Sequence, residues 1–299
     1  MKELASKYIR TDLASECLPE EEAISQRGVE YREGQENGIG VSTLKITTDE
    51  GERIIGKPKG EYITIQVGKI WLADDELVSR TAELLAHKIR SLIGGVTADK
   101  QPSVLVIGLG NRYITSDAIG PLSVKDLTVT RHIREYDENL YRAIDSLCIS
   151  AFTPGVVGQT GIETIDLIKG AVKTTAPAVV IAIDALASRS VDRLATTVQL
   201  SDTGITPGSG IGNTRRAVDK NELGVPVISI GVPTVVDSST LIMDLLEQSG
   251  IEGLPSDLER RLENGRSFFV TLKDSDIAVS EISSLISMAL NSALSADYE

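Results

Sequence analysis

Two acids stand where they could do chemistry. Asp117 sits in the glycine-rich stretch Gly108-Leu109-Gly110-Asn111-Arg112-Tyr113-Ile114-Thr115-Ser116-Asp117-Ala118-Ile119-Gly120-Pro121, directly after an apolar run. Asp184 closes a second apolar run, Ile181-Ala182-Ile183-Asp184-Ala185-Leu186-Ala187. Each has a structural reading beside the functional one. Asp117 either caps the next helix or faces a cleft; Asp184 is either solvated at a strand end or held for function, with its pKa raised by desolvation. Two carboxyl groups meeting in one cleft cannot both ionise cheaply and so share a proton. One can then take a proton from water while the other gives one to a carbonyl or a leaving amine. That suffices to hydrolyse a peptide bond without a metal or a serine nucleophile.

Other polar groups could support such a site. Gly108, Gly110 and Asn111 belong to the first turn, whose backbone could shape a cleft or steady a developing oxyanion; a tight turn that needs glycine is the plain alternative. The loop Asp202–Asn213, with Gly208 and Gly210, could present backbone N–H groups to an anion or an extended peptide, or be a surface loop. Asp202 is a reserve carboxylate. Glu163, in Pro154–Thr164, reads as a first-turn helix residue rather than a catalyst. A dinucleotide fingerprint would need glycine where Tyr113 stands, and neither a phosphate-binding GKS/GKT nor a G-x-S-x-G elbow occurs. His87 and His132 have no ligand partner at metal spacing, and Cys17 and Cys148 form no CxxC pair. No metal and no cofactor is expected.

The elements that must position these groups follow from periodicity. Ser103–Ile107, Ala178–Ile183 and Val225–Gly231 are continuous apolar runs, as in strands buried on both faces. Helical spacing covers roughly 120–134, 162–173 and 235–248, and a last helix covers 275–294. This alternation predicts an α/β fold with a mostly parallel central sheet flanked by helices. In such sheets, ligands meet the carboxyl ends of strands, where both acids lie. Residues 39–72 alternate apolar and polar positions and predict a smaller, β-rich portion near the N-terminus. A helix is expected from Asp74 or Asp75 to Ile93, stopped by Gly94-Gly95. Residues 1–38 read as a mobile or peripheral arm.

The chain has 299 residues, 41% of them hydrophobic, enough for one large α/β domain; with only 4% aromatics, aliphatic side chains must fill the core. The formal net charge of −13 argues against direct nucleic-acid binding. No apolar run is long enough to span a membrane, and no signal core is present, so a cytoplasmic protein is expected.

Taken together, the segments Arg10-Thr11-Asp12-Leu13-Ala14, GLGN with TSDAIGP, PGVVGQTGIET, IAIDALA, DTGITPGSGIGN and LGVPVISIGVPTVVD resemble the germination protease family of spore-forming bacteria. They follow the family's order across residues 8–237. The resemblance implies a core fold similar to hydrogenase maturation peptidases and an endopeptidase of the forespore and spore core. Its substrates would be small acid-soluble spore proteins, and its catalytic aspartates Asp117 and Asp184. It also implies a homotetrameric zymogen that removes its own N-terminus. Thr11-Asp12-Leu13-Ala14-Ser15-Glu16 mimics the substrate pattern of an acid, a large apolar residue and then Ala-Ser-Glu, which places the cut between Asp12 and Leu13. Residues 1–12 would be the propeptide and 13–299 the catalytic domain. The alternatives are a metal-dependent maturation peptidase, a non-enzymatic binder of basic proteins and a nucleoside-phosphorylase-like enzyme. The two carboxylates of the hydrogenase-type metal site have counterparts here, but its histidine does not.

Overall fold

A computed structural model describes residues 8–18, 27–144, 146–209, 215–251 and 268–295. Among them, one sheet carries strands β1 (Val29–Glu36), β2 (Ile39–Ile46), β3 (Gly60–Gln66), β4 (Val104–Gly108), β5 (Ile149–Phe152), β6 (Val179–Ala187), β7 (Thr197–Ser201), β8 (Val227–Asp237) and β9 (Phe269–Val270). The order is β1-β2-β3-β7-β8-β6-β4-β5, with β9 added to the end of β8. The half holding β5, β4, β6 and β8 is parallel. The rest is antiparallel, with β7 joining the two halves through β3 and β8.

The helices are α1 (Asp49–Ile55), α2 (Asp75–Val96), α3 (Ile119–Lys125), α4 (Arg131–Tyr136), α5 (Glu138–Ala143), α6 (Val157–Thr160), α7 (Thr164–Thr175), α8 (Lys220–Leu223), α9 (Ser238–Gln248) and α10 (Ser275–Ala293). Alternate residues of the parallel strands supply two cores, as the two-residue period of a strand requires. Val104, Val106, Ile181 and Ile183 face α2 and α10, through Leu85, Ile89, Ile286 and Leu290. Leu105, Ile107, Val180 and Ala182 face α7, through Ile165 and Ile168. Both faces of β4 and β6 are therefore apolar, which is why their sequences run without alternation.

Asp74 caps α2, its carboxylate accepting from the Leu77 N–H at 2.9 Å, but the helix runs through Gly94-Gly95 to Val96. The span expected as one helix over 120–134 is two, α3 and α4. Between them the Thr130 hydroxyl bonds to the Leu147 carbonyl and receives the Ile149 N–H, tying that stretch to the start of β5. Part of the expected arm is not peripheral: Leu13 and Ala14 are fully buried and Val29–Glu36 is a strand. The polar composition of this segment misleads because its acids find donors, as shown below.

Candidate active site

β4 and β6 lie side by side in parallel register, with Gly108 opposite Ile183, so the turn leaving β4 begins beside Asp184. The Leu109 N–H donates to the Ile183 carbonyl at 2.8 Å and extends that register one residue further. The chain then folds back on itself. Gly110 has φ +108, and a Cβ there would lie 2.1 Å from the carbonyl oxygen of Asp117. A short 3-10 turn, Thr115–Asp117, leads into α3. The Asn111 N–H closes the loop on Asp117, 3.0 Å from its carbonyl oxygen and 2.8 Å from its carboxylate Oδ2. A Cβ on Gly108 would stand 2.3 Å from the Gly120 carbonyl, and one on Gly120 would stand 2.5 Å from that of Ile183. Only glycine lets α3 approach the ends of β4 and β6 this closely. From β8, the Thr234 hydroxyl donates to the Ser116 carbonyl at 2.6 Å and braces the residue before Asp117.

A cavity of about 360 Å³ opens at this edge of the sheet, and both Asp117 and Asp184 line it, with Asp12, Glu163, Gly208 and Arg215. Asp184 is 5% exposed. Burial, then the charge of Asp117, then that of Asp12, push its carboxyl well above the usual range; the Ala185 N–H, 3.0 Å from Oδ1, opposes them. Burial also pushes Asp117 up, held back by the Asn111 N–H and by the Arg215 guanidinium. Asp117 thus has two aids to ionisation, and Asp184 is the more readily kept neutral. The pair can hold one proton at a pH where free carboxylates hold none.

The family model described as germination protease matches residues 6–249. A germination protease of Caldanaerobacter subterraneus is 42% identical over 96% of this chain and 94% of its own length. One of Bacillus pumilus is 44% identical over 82% of this chain and 68% of its own. The chain belongs to the germination protease family. As a germination protease it is a peptidase, in agreement with the resemblance read from its motifs. Among solved structures, a nickel–iron hydrogenase maturation protease of Thermococcus kodakarensis aligns with a TM-score of 0.32 and 16% identity, covering 54% of this chain and 96% of that one.

In this germination protease chain the other expected site residues separate. Gly110 and Gly208 line the cavity. Gly108 does not; it serves the contact with α3. Gly210 lies outside the described residues. Asn111 contributes its N–H to Asp117, and its side-chain oxygen accepts the Tyr113 N–H at 3.0 Å and the Gln159 amide at 2.7 Å. Glu163 is the N-cap residue of α7 and stands exposed at the cavity rim. Asp202 is elsewhere: its Oδ1 accepts the Glu61 N–H at 2.8 Å and fixes the start of β3, so it is no reserve carboxylate. His87 and His132 are on exposed helix positions outside the cavity. Among the described residues no three His, Cys, Asp or Glu side chains could hold a metal ion, so a two-carboxylate, one-histidine ligand set does not fit here. No helix among them is long and apolar enough to cross a membrane.

Asp12 and Leu13 lie against the site. The Asp12 N–H donates to the Ala187 carbonyl, and the Ala187 N–H to Asp12 Oδ2, both at 2.9 Å. The Ser209 hydroxyl donates to Asp12 Oδ1. The Gln199 amide spans the next bond, donating to the Asp12 carbonyl at 3.3 Å and accepting the Ala14 N–H at 2.7 Å. Sequence reading did not single out Ser209, Gln199, Thr234 or Arg215. The first lies in a quoted glycine motif and Thr234 in GVPTVVD, but Gln199 and Arg215 carry no local signal.

Proposed function

We propose that the chain is an endopeptidase of small acid-soluble spore proteins in the spore core, working through Asp117 and Asp184, and that it first cuts itself between Asp12 and Leu13. The observation that carries the reading is that both aspartates line one cavity, where the charge of Asp117 helps raise the pKa of Asp184. Asp117, the more readily ionised of the two, takes a proton from the attacking water. Asp184, kept protonated, gives its proton to the carbonyl oxygen as the tetrahedral intermediate forms. The proton held by Asp117 then passes to the leaving amine, and Asp184 recovers its own as the carbonyl reforms. The Asn111 N–H and Arg215 stabilise the Asp117 carboxylate; the Thr234 bond to Ser116 keeps it on station. The position of Asp12 at the cavity wall supports self-cleavage, and the tetramer implied by the family resemblance belongs to the same reading.

The test incubates the purified chain with a small acid-soluble spore protein. The wild type should cut it at a few defined sites, and Asp117→Asn and Asp184→Asn should each lose activity by at least about a hundredfold while remaining folded. Cutting that survives either change would end the two-carboxyl reading. Sedimentation of the same sample reports the subunit number.

A further inference from the structure

The first residues after the proposed cut are built into the protein. Leu13 and Ala14 are fully buried. Ala14 packs in a small core with Val29, Leu44, Ile46, Ile55 and Tyr62. A 3-10 turn over Ala14–Cys17 has Leu13 at its N-cap and Glu16 in its third position. A glutamate at that position ordinarily reaches back to the N–H of the cap residue. Here a hydroxyl stands between them: the Leu13 N–H donates to Thr11 Oγ1 at 3.1 Å, and Thr11 Oγ1 donates in turn to Glu16 Oε2. The Glu16 side chain is 6% exposed and is held by the Arg189 N–H at 2.6 Å, the Ser190 N–H at 3.1 Å and the Arg193 guanidinium at 3.3 Å.

We infer that cutting between Asp12 and Leu13 creates a buried ammonium site, in which the new N-terminus of Leu13 pairs with Glu16 and locks the start of the processed chain in place. The inference rests on the proposed self-cleavage. Hydrolysis adds water across the bond: the hydroxyl goes to the Asp12 carbonyl carbon and the hydrogen to the Leu13 nitrogen, which takes up a further proton as an ammonium. Thr11 departs with the released segment, so the group that separated nitrogen from carboxylate is gone. Glu16 loses one donor and Leu13 gains a positive charge one hydroxyl's width away. A buried charge needs a partner, and Glu16 is already oriented by three other donors. The lock also fastens the loop Arg189–Arg193, which continues from the strand carrying Asp184. Cleavage thereby converts a covalent link into an ion pair at the same spot.

The test starts with the full-length chain after self-processing, its new terminus identified by mass spectrometry. Failure to find Leu13 as first residue would sink the self-cleavage reading and this inference with it. With the terminus present, the Leu13 amine is titrated by its rate of acylation as a function of pH. The titratable and charged groups facing it are Glu16 and Cys17 from the turn, Arg193 from the loop after β6, and Lys57, whose ammonium bonds to the Thr11 carbonyl at 3.2 Å. An amine paired with Glu16 titrates above the ~8 of an ordinary N-terminus; one buried without a partner titrates below it. A value at or below 8 overturns the lock and leaves self-cleavage standing. As a second reading, Glu16→Gln should lower the Tm of the processed chain by about 5 °C more than that of the uncleaved chain. Glu16→Asp should recover part of the difference. Equal losses in the two forms overturn the pairing.

Discussion

Replacing Asp184 by Asn should abolish activity and yet stabilise the protein at neutral pH. The carboxyl is 5% exposed and, among the described residues, receives one hydrogen bond, from the Ala185 N–H, which the amide oxygen of asparagine can keep. The exchange is nearly isosteric, so little packing changes. The electrostatics do change. The folded-state pKa is raised above the unfolded value of ~3.9. Between those two values the folded chain binds a proton that the unfolded chain has lost, so wild-type stability falls as pH rises through that interval, and levels off once the folded carboxyl ionises. The slope from this group is about 1.4 kcal/mol per pH unit. For a chain of this size each pH unit inside the interval is then roughly 2 °C in Tm. Asparagine lacks that slope. Thermal unfolding of wild type and variant from pH 4.5 to 8 measures it, with the difference between the two curves cancelling the other titrating groups. The variant should gain on the wild type as pH rises. Parallel curves, or a variant less stable at neutral pH, would falsify the claim that this carboxyl is held neutral by its surroundings.

Gly110→Ala should cost about 2 kcal/mol or more and lower activity further than stability, because a Cβ at φ +108 would lie 2.1 Å from the Asp117 carbonyl. Denaturant unfolding with a parallel turnover assay reports both, and an unchanged midpoint would count against the strained turn. Thr234→Val, close to isosteric, leaves the Ser116 carbonyl without its donor. It should cost about 1 kcal/mol in stability and lower kcat more than it raises KM; a change in KM alone would mean that Ser116 and Asp117 do not move. Activity of the wild type should fall as pH rises through the raised pKa of Asp184, since the proton donor is lost; a rate still climbing through pH 9 contradicts the assignment.

The parallel half of the sheet was legible because burial on both faces writes itself as unbroken apolar runs, and the two acids stood out by ending such runs. The antiparallel connector β7 was not legible. Thr197-Val198-Gln199-Leu200-Ser201 is short and polar, yet every residue is buried, because its polar side chains face fixed partners such as Ala14 and Asp12. Asp202 looked like a site acid because a carboxylate beside glycines is ambiguous until its neighbour is known; that neighbour, the Glu61 N–H, lies 141 residues away in sequence. The fate of the N-terminal segment turned on the same kind of distant pairing. Asp12 and Glu16 fell in a stretch that reads as a peripheral arm, whereas backbone donors at the end of β6 and in the loop after it hold them against the protein.

The outer border of the sheet has its own consequence. Among the described residues β1 is paired on one side only, by β2, and every residue of it after Val29 is exposed. Glu30, Arg32, Glu33 and Glu36 stud that rim. A foreign strand seeking to extend the sheet there would have to strip water from charged groups along the whole seam, which disfavours runaway stacking of copies.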